Sequence, residues 1–152
     1  MHKADRTRRH RKERSVDAVL GIDIAKAKFA AALRRADGTV RHKTCANPRA
    51  GFAELAAWLR RQQVTHVHAG LEATGTYGDA LATWLHDAGH VVSVVNPAVI
   101  HAYARTQLAR SKTDRLDAAL IAQFTATQRP AAWTPPAVEV RQLQALVRRL
   151  EA

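Results

Sequence analysis

Cysteine is nearly missing from this sequence, with Cys45 the single example in 152 residues. Neither a disulfide framework nor a thiolate zinc site can be built from it. Glycine is sparse as well, seven residues scattered along the chain, which argues against glycine-rich loops that cradle nucleotide phosphates. Aromatic residues make up 5%, too few for a platform on which bases stack. No apolar run approaches the ~18 residues needed to cross a bilayer. The acids and lysine of VDAVLGIDIAK interrupt what would otherwise be a signal-peptide core behind the basic N-terminus. A soluble, cytoplasmic protein with no membrane partner is the expectation.

Acid is the other scarcity. Thirteen Asp and Glu stand against 24 Lys and Arg, a formal net charge of +11. Such an imbalance points to a polyanionic partner, DNA or RNA, and says nothing about fold. The first fourteen residues, MHKADRTRRHRKER, carry seven cations and two acids. Residues 1–16 are therefore expected to form a solvated, disordered basic arm that can still touch phosphates. About six excess charges remain for the rest of the chain. With 47% apolar residues, that remainder is long enough for one domain with a buried core.

The order of elements follows from periodicity. DAVLGIDI (17–24) is nearly all apolar and reads as a buried strand. KFAAALRR (28–35) is a second strand, and Asp37-Gly38 turns the chain into TVRHKTCA (39–46), an alternating hairpin partner. Asn47 and Pro48 open a helix in which Phe52, Leu55, Ala56 and Leu59 share a face. VTHVHAGLEA (64–73) is a strand that ends in an acid. TYGDALATWLHDAGH (76–90) is a helix stopped by Gly89, and VVSVV (91–95) is a short buried strand. Asn96-Pro97 caps and starts another helix. A further helix carries SKTDRLDA (111–118), with Leu116, Leu120, Ile121 and Phe124 on its apolar side. The predicted class is α/β, with an antiparallel beginning and a parallel continuation across residues 17–129. PAAWTPP (130–136) reads as a linker. In 137–152, Val140, Leu143, Val147 and Leu150 form the start of a coiled-coil seam. That seam stops with the chain, so a longer parent chain or a homo-oligomer through this helix is expected.

Two acids have no ordinary surface explanation. Asp23 lies inside the apolar segment GIDIA, and Glu72 ends the strand VHAGL. Burying a carboxylate without a partner costs several kcal/mol, so each needs an arginine, a set of hydrogen bonds, or a shared site. Asp114 and Asp117, three apart, would share one face of a helix. Capping is the simpler reading of that octapeptide, with Ser111 or Thr113 as cap and both aspartates near the positive helix end. The alternative is that two strand acids and two helix acids converge. Four crowded carboxylates repel unless they hold cations, and an all-oxygen set favours Mg²⁺ or Mn²⁺. Two such ions can activate the attacking oxygen and stabilise the leaving oxygen in phosphoryl transfer. Lys26, Arg110, Lys112 and Arg115 would then contact phosphates.

Taken in order, GIDIAK, LEATGTYG, VNP and SKTDRLDA resemble the N-terminal domain of the DEDD insertion-sequence transposases. These are relatives of the pilin-gene DNA invertases, and members are described as bridge-RNA-guided recombinases. The resemblance spans residues ~17–150 and rests on four motifs matching together. It implies a RuvC-like, ribonuclease H-like fold with catalytic, metal-binding acids at Asp23, Glu72, Asp114 and Asp117. It also implies DNA as substrate, a guide RNA, and a nucleophilic serine from a second domain that lies beyond the coiled coil in full-length members. This chain would then be the metal-holding half of a composite active site.

Two other functions compete. A non-catalytic nucleic-acid-binding module would need only the basic surface. A sugar-kinase-like or actin-like ATPase is suggested by the look of GIDIAKAKFAAAL, but such proteins need phosphate turns and a duplicated domain, which this chain lacks. His66 and His68, two apart on a strand, and His86 and His90, one helical turn apart, lack the further ligands a metal site requires. They are expected at the surface or the core edge, with Trp58, Trp84 and Trp133 filling the core or the domain edge.

Overall fold

The computed structural model describes residues 18–25, 28–46, 49–73, 75–107 and 117–151. The basic arm, Lys26, Arg110, Lys112, Asp114 and Arg115 lie outside the described residues. Elements run β1 (Ala18–Ala25), β2 (Lys28–Arg35), β3 (Val40–Ala46), α1 (Arg49–Arg61), β4 (Val67–Glu72), α2 (Gly75–Asp87), β5 (Val91–Val95), α3 (Pro97–Gln107), α4 (Ala118–Gln128) and α5 (Val138–Glu151). The five strands form one sheet in the order β3-β2-β1-β4-β5. β2 is antiparallel to both β1 and β3, whereas β1, β4 and β5 run parallel. The mixed α/β sheet expected from the sequence is what forms, and it is compatible with a ribonuclease H-like fold.

Local chemistry explains the boundaries. At the β2–β3 hairpin, the Thr39 amide and hydroxyl both donate to Asp37 Oδ1, at 2.9 and 2.7 Å. Those bonds hold the Asp37 carboxyl below its ordinary value. Asn96 Oδ1 accepts from the Ala98 amide at 2.8 Å and so caps α3, leaving Pro97 as its first residue. β4 is shorter than VTHVHAGLEA suggested, because the turn through Gln63 and Val64 takes up its first residues.

Strand alternation sends side chains to two faces. On one face Leu20, Ile22, Phe29, Leu33, Val67 and Leu71 meet Leu55, Trp58 and Leu59 of α1 and Leu81 and Leu85 of α2. The opposite face is covered by α4 and α3. There Ala32, Ala118 and Ala122 pack together, and Val95, Ile100, Ile121 and Phe124 form a second cluster. Trp58 is buried, while Trp84 and Trp133 pack half-buried against the main core, which puts all three tryptophans in the packing roles expected of them.

The segment 130–136 does not leave the sheet. The Trp133 amide donates to Val92 O at 2.6 Å, which pins this stretch along β5. α5 follows with Val140, Leu143, Leu146, Val147 and Leu150 all exposed. The C-terminal helix read from the sequence is present, and its apolar side has no cover among the described residues.

Candidate functional site

Parallel pairing of β1 with β4 sets Ile22 beside Leu71. One step further along the same register come Asp23 and Glu72. Asp23 faces Ala30 on its other side, and Glu72 faces Val95. Both acids therefore sit at the C-terminal ends of adjacent central strands, on the face that α4 covers. Each is half-buried, and each makes an interaction within the fold, which offsets the cost of taking a carboxylate from water.

Two residues before each acid is a glycine, and Gly21 and Gly70 are themselves register partners. A Cβ at Gly21 would fall 2.1 Å from the Ala118 carbonyl oxygen and 2.3 Å from the Ala122 nitrogen. A Cβ at Gly70 would fall 1.9 Å from Thr125 Oγ1. The paired glycines thus form a bare floor on which α4 lies in direct contact. The first turn of α4 stands over Gly21, and Arg129, just past its end, shares a cleft with Ala18 and Val19. α4 consequently runs against β1, with its N-terminal end toward Asp23 and Glu72.

Asp117 is the N-cap of that helix. Its backbone is extended (φ −124, ψ 170), and its Oδ1 accepts from the Leu120 amide at 2.8 Å. Placing Asp114 and Asp117 together on one helical face is therefore corrected: α4 begins at Ala118, and Asp117 stands just before it. The physical reason is that a short carboxylate competes for nearby amides and favours caps over helix interiors. Capping was expected from Ser111 or Thr113, yet Asp117 itself does it. Asp114 lies outside the described residues, as do the four cations singled out with it.

The structure brings Asp23 and Glu72 side by side and puts Asp117 over the same end of the sheet. It does not unite the three. Among the described residues no group of three or more His, Cys, Asp or Glu is arranged to hold a metal ion. The donors at this sheet end are nonetheless carboxylate oxygens, the chemistry of Mg²⁺ and Mn²⁺ rather than zinc. The two strand acids suit a hard cation, with further ligands needed from around the start of α4.

The histidines serve the fold. His68 Nε2 lies 2.7 Å from Ser93 Oγ, and that buried hydroxyl donates to Ala131 O at 2.8 Å or Pro130 O at 3.1 Å. Burial pushes His68 below its ordinary pKa. His90 Nδ1 accepts from the Val67 amide at 3.2 Å, and burial, then the neighbouring His66, push it down as well. His66 precedes β4 and stacks edge-on with His90, at 6.3 Å between ring centres, instead of pairing with His68. One feature escaped the sequence reading: a cleft of about 580 Å³ at the far end of α4, lined in part by Arg34, Arg35, His68 and Arg129. The pair Arg34-Arg35 was visible, but only the fold brings Arg129 to it.

Comparison with known proteins adds an independent line. The family model DEDD_Tnp_IS110, described as Transposase, matches residues 20–152. The pilin gene-inverting protein of Moraxella bovis is 40% identical over 134 residues, and that of Moraxella lacunata 39%. Each alignment covers 87% of this chain and 41% of the relative, so the chain spans about two-fifths of the length of these relatives. Among solved structures, Archaeoglobus fulgidus Pelota aligns with a TM-score of 0.39 at 17% identity, over 70% of this chain and 42% of that one.

Proposed function

The chain belongs to the DEDD_Tnp_IS110 transposase family, and from that premise we propose that it is the metal-binding catalytic domain of a DNA transposase or recombinase. The observation that carries this reading is the adjacent placement of Asp23 and Glu72 on neighbouring central strands, beneath the start of α4. Asp114 and Asp117 complete the acid set in this proposal. When bound there, Mg²⁺ or Mn²⁺, as a pair of ions, supplies charge neutralisation and an activated oxygen for phosphoryl transfer.

The chain's own residues do the rest. Asp23 and Glu72 fix one side of the site through strand register, and the Gly21–Ala118 contact sets the height of the helix above them. Lys26, Arg110, Lys112 and Arg115 hold the phosphates that flank the scissile bond. A guide RNA selects the DNA, and a serine from a further domain provides the nucleophile. The exposed apolar side of α5 is the surface for a second copy of the chain. Leu143→Glu is then expected to reduce the sedimentation mass without lowering Tm, because Leu143 is exposed within one protomer.

A second reading, a nucleic-acid-binding module without catalysis, draws on the missing three-ligand group among the described residues and on the net charge of +11. Mn²⁺ binding followed by electron paramagnetic resonance separates the two, with and without duplex DNA. Catalysis requires a bound-Mn²⁺ signal that disappears in both Asp23→Asn and Glu72→Gln while each variant stays folded. Equal signals in wild type and variants would leave only the binding module standing.

A further inference from the structure

The cleft at the far end of α4 has no part in the carboxylate site. The twelve residues from Asp117 to Arg129, at 1.5 Å each, put roughly 18 Å between the two ends of that helix. Its walls come from four elements: Val19 from β1, Arg34 and Arg35 from β2, His68 from β4, and Thr125, Ala126 and Arg129 from α4 and its end. Arg34, Arg35 and Arg129 are among its lining residues, and among the described residues no carboxylate is. The Arg35 guanidinium donates to Gln62 O, just past α1 on the other face of the sheet, which leaves Arg34 and Arg129 as the cations on offer. Among the described residues Arg34 and Arg129 form no ion pair.

Arg129 carries a second sign of purpose. It ends α4 in the left-handed region, at φ 45, where its amide donates to Thr125 O. Glycine is the usual residue at such a helix end, and a residue with a Cβ pays about 1 kcal/mol there. An arginine held in that conformation, at the mouth of a cleft already carrying Arg34, is a strained position with a charged side chain on offer.

We propose that this cleft holds phosphodiester groups of a bound nucleic-acid strand, anchoring it about 18 Å along α4 from the helix end that lies toward the carboxylates. At 3.4 Å per base pair along one strand that separation corresponds to roughly five base pairs. A duplex lying along α4 would thus be gripped by its phosphates at one end and present a phosphate to Asp23 and Glu72 at the other. This inference rests on the functional reading above, and it is tested without metal or chemistry so that the two can fail separately.

The experiment measures the affinity of the 152-residue chain for a fluorescent DNA duplex and for an RNA duplex of the same sequence. It is done in EDTA, between 50 and 200 mM salt, with wild type, Arg34→Gln, Arg129→Gly and the double variant. The basic N-terminal arm is common to all four, so its contribution cancels in the comparison. Each lost phosphate contact should reduce the salt slope by about 0.9 on duplex DNA. Over that fourfold salt change, the wild type should lose roughly tenfold more affinity than the double variant. Arg129→Gly should melt no lower than wild type, since glycine suits φ 45, so weaker binding by that variant cannot be blamed on unfolding. A change confined to the DNA arm or to the RNA arm identifies which strand occupies the cleft. Wild-type affinity and salt slope in the double variant would overturn the inference and leave the carboxylate reading intact. If the wild type binds neither duplex, the inference falls, while the carboxylate reading still answers to its Mn²⁺ test.

Discussion

Replacing Gly21 with alanine tests whether the floor beneath α4 positions the acids. The added Cβ would stand 2.1 Å from Ala118 O, 2.3 Å from Ala122 N and 2.8 Å from Ala122 Cα, where ordinary contact begins near 3.4 Å. All three atoms are main chain, so no side chain can swing aside and the helix must lift by more than 1 Å. Overpacking a tight core costs typically 1–3 kcal/mol, and a main-chain clash belongs at or above that upper end. For a chain of this size, about 3 kcal/mol corresponds to a fall in Tm of roughly 10 °C. Gly70→Ala provides the contrast. Its Cβ would meet Thr125 Oγ1 at 1.9 Å and Thr125 Cβ at 3.1 Å, so the worst contact is a side-chain atom that Thr125→Ala removes. Thr125→Ala alone gives up the hydroxyl's 2.8 Å bond to Ile121 O, worth about 1 kcal/mol. Combined with Gly70→Ala it should recover at least 1 kcal/mol relative to the sum of the single changes. Thermal denaturation of the four chains, with Gly21→Ala on the wild-type and Thr125→Ala backgrounds, decides the matter. The reasoning fails if Gly21→Ala melts within about 2 °C of wild type, or if Thr125→Ala rescues Gly21→Ala as well as it rescues Gly70→Ala.

Two further outcomes are expected. Asp117→Ala should lose about 1 kcal/mol, the usual worth of an N-cap, whereas Asp117→Asn should keep the Leu120 amide bond and the wild-type Tm; if Asp117 also serves the cation site, the asparagine variant binds Mn²⁺ more weakly, and undiminished binding would confine Asp117 to its cap. The second outcome concerns pH. Burial pushes both His68 and His90 below the ordinary value of 6.5, so the unfolded chain takes up protons there that the folded chain refuses. Stability from this source is complete above pH 6.5 and declines as pH falls from there toward the depressed folded values. Melting curves from pH 8 to pH 5 should show that decline in wild type and a shallower one in a His68→Gln, His90→Gln double variant, and parallel curves would refute the assignment.

Most of the fold was legible because strong local signals and tertiary demands agree. Asp37-Gly38 sits between two alternating strands, and Asn96-Pro97 is a cap followed by a residue preset for the first helical turn. The central strands fall where apolar runs predicted them, because both of their faces are covered, and β3 falls where alternation beyond the turn predicted it. What did not show locally was the height of α4 above the sheet. Yet a trace of it was present. GID and GLE repeat the spacing of glycine, apolar residue, acid in the two strands that become neighbours, and the small Ala118 and Ala122 recur at one helical turn. Only once β1 and β4 pair in register do these become one surface. The basic cleft is less legible still, since Arg34 and Arg129 are 95 positions apart in the sequence and no local pattern links them.

The start of α4 shows why the acid set was harder to read than its members. SKTDRLDA offers a serine, a threonine and two aspartates, all good caps, so local propensity cannot choose among them. Packing can: the residue whose carbonyl rests over Gly21 is Ala118, and Asp117 immediately before it turns extended and caps. One of its oxygens accepts from the Leu120 amide at 2.8 Å, and the cap stands at the end of α4 that lies toward Asp23 and Glu72. An alanine at 117 would remove the cap and any contact with a cation at once and could not separate them. An asparagine keeps the acceptor and removes the negative charge, so it divides a structural acid from a cation ligand at the one position where the two readings of the octapeptide meet.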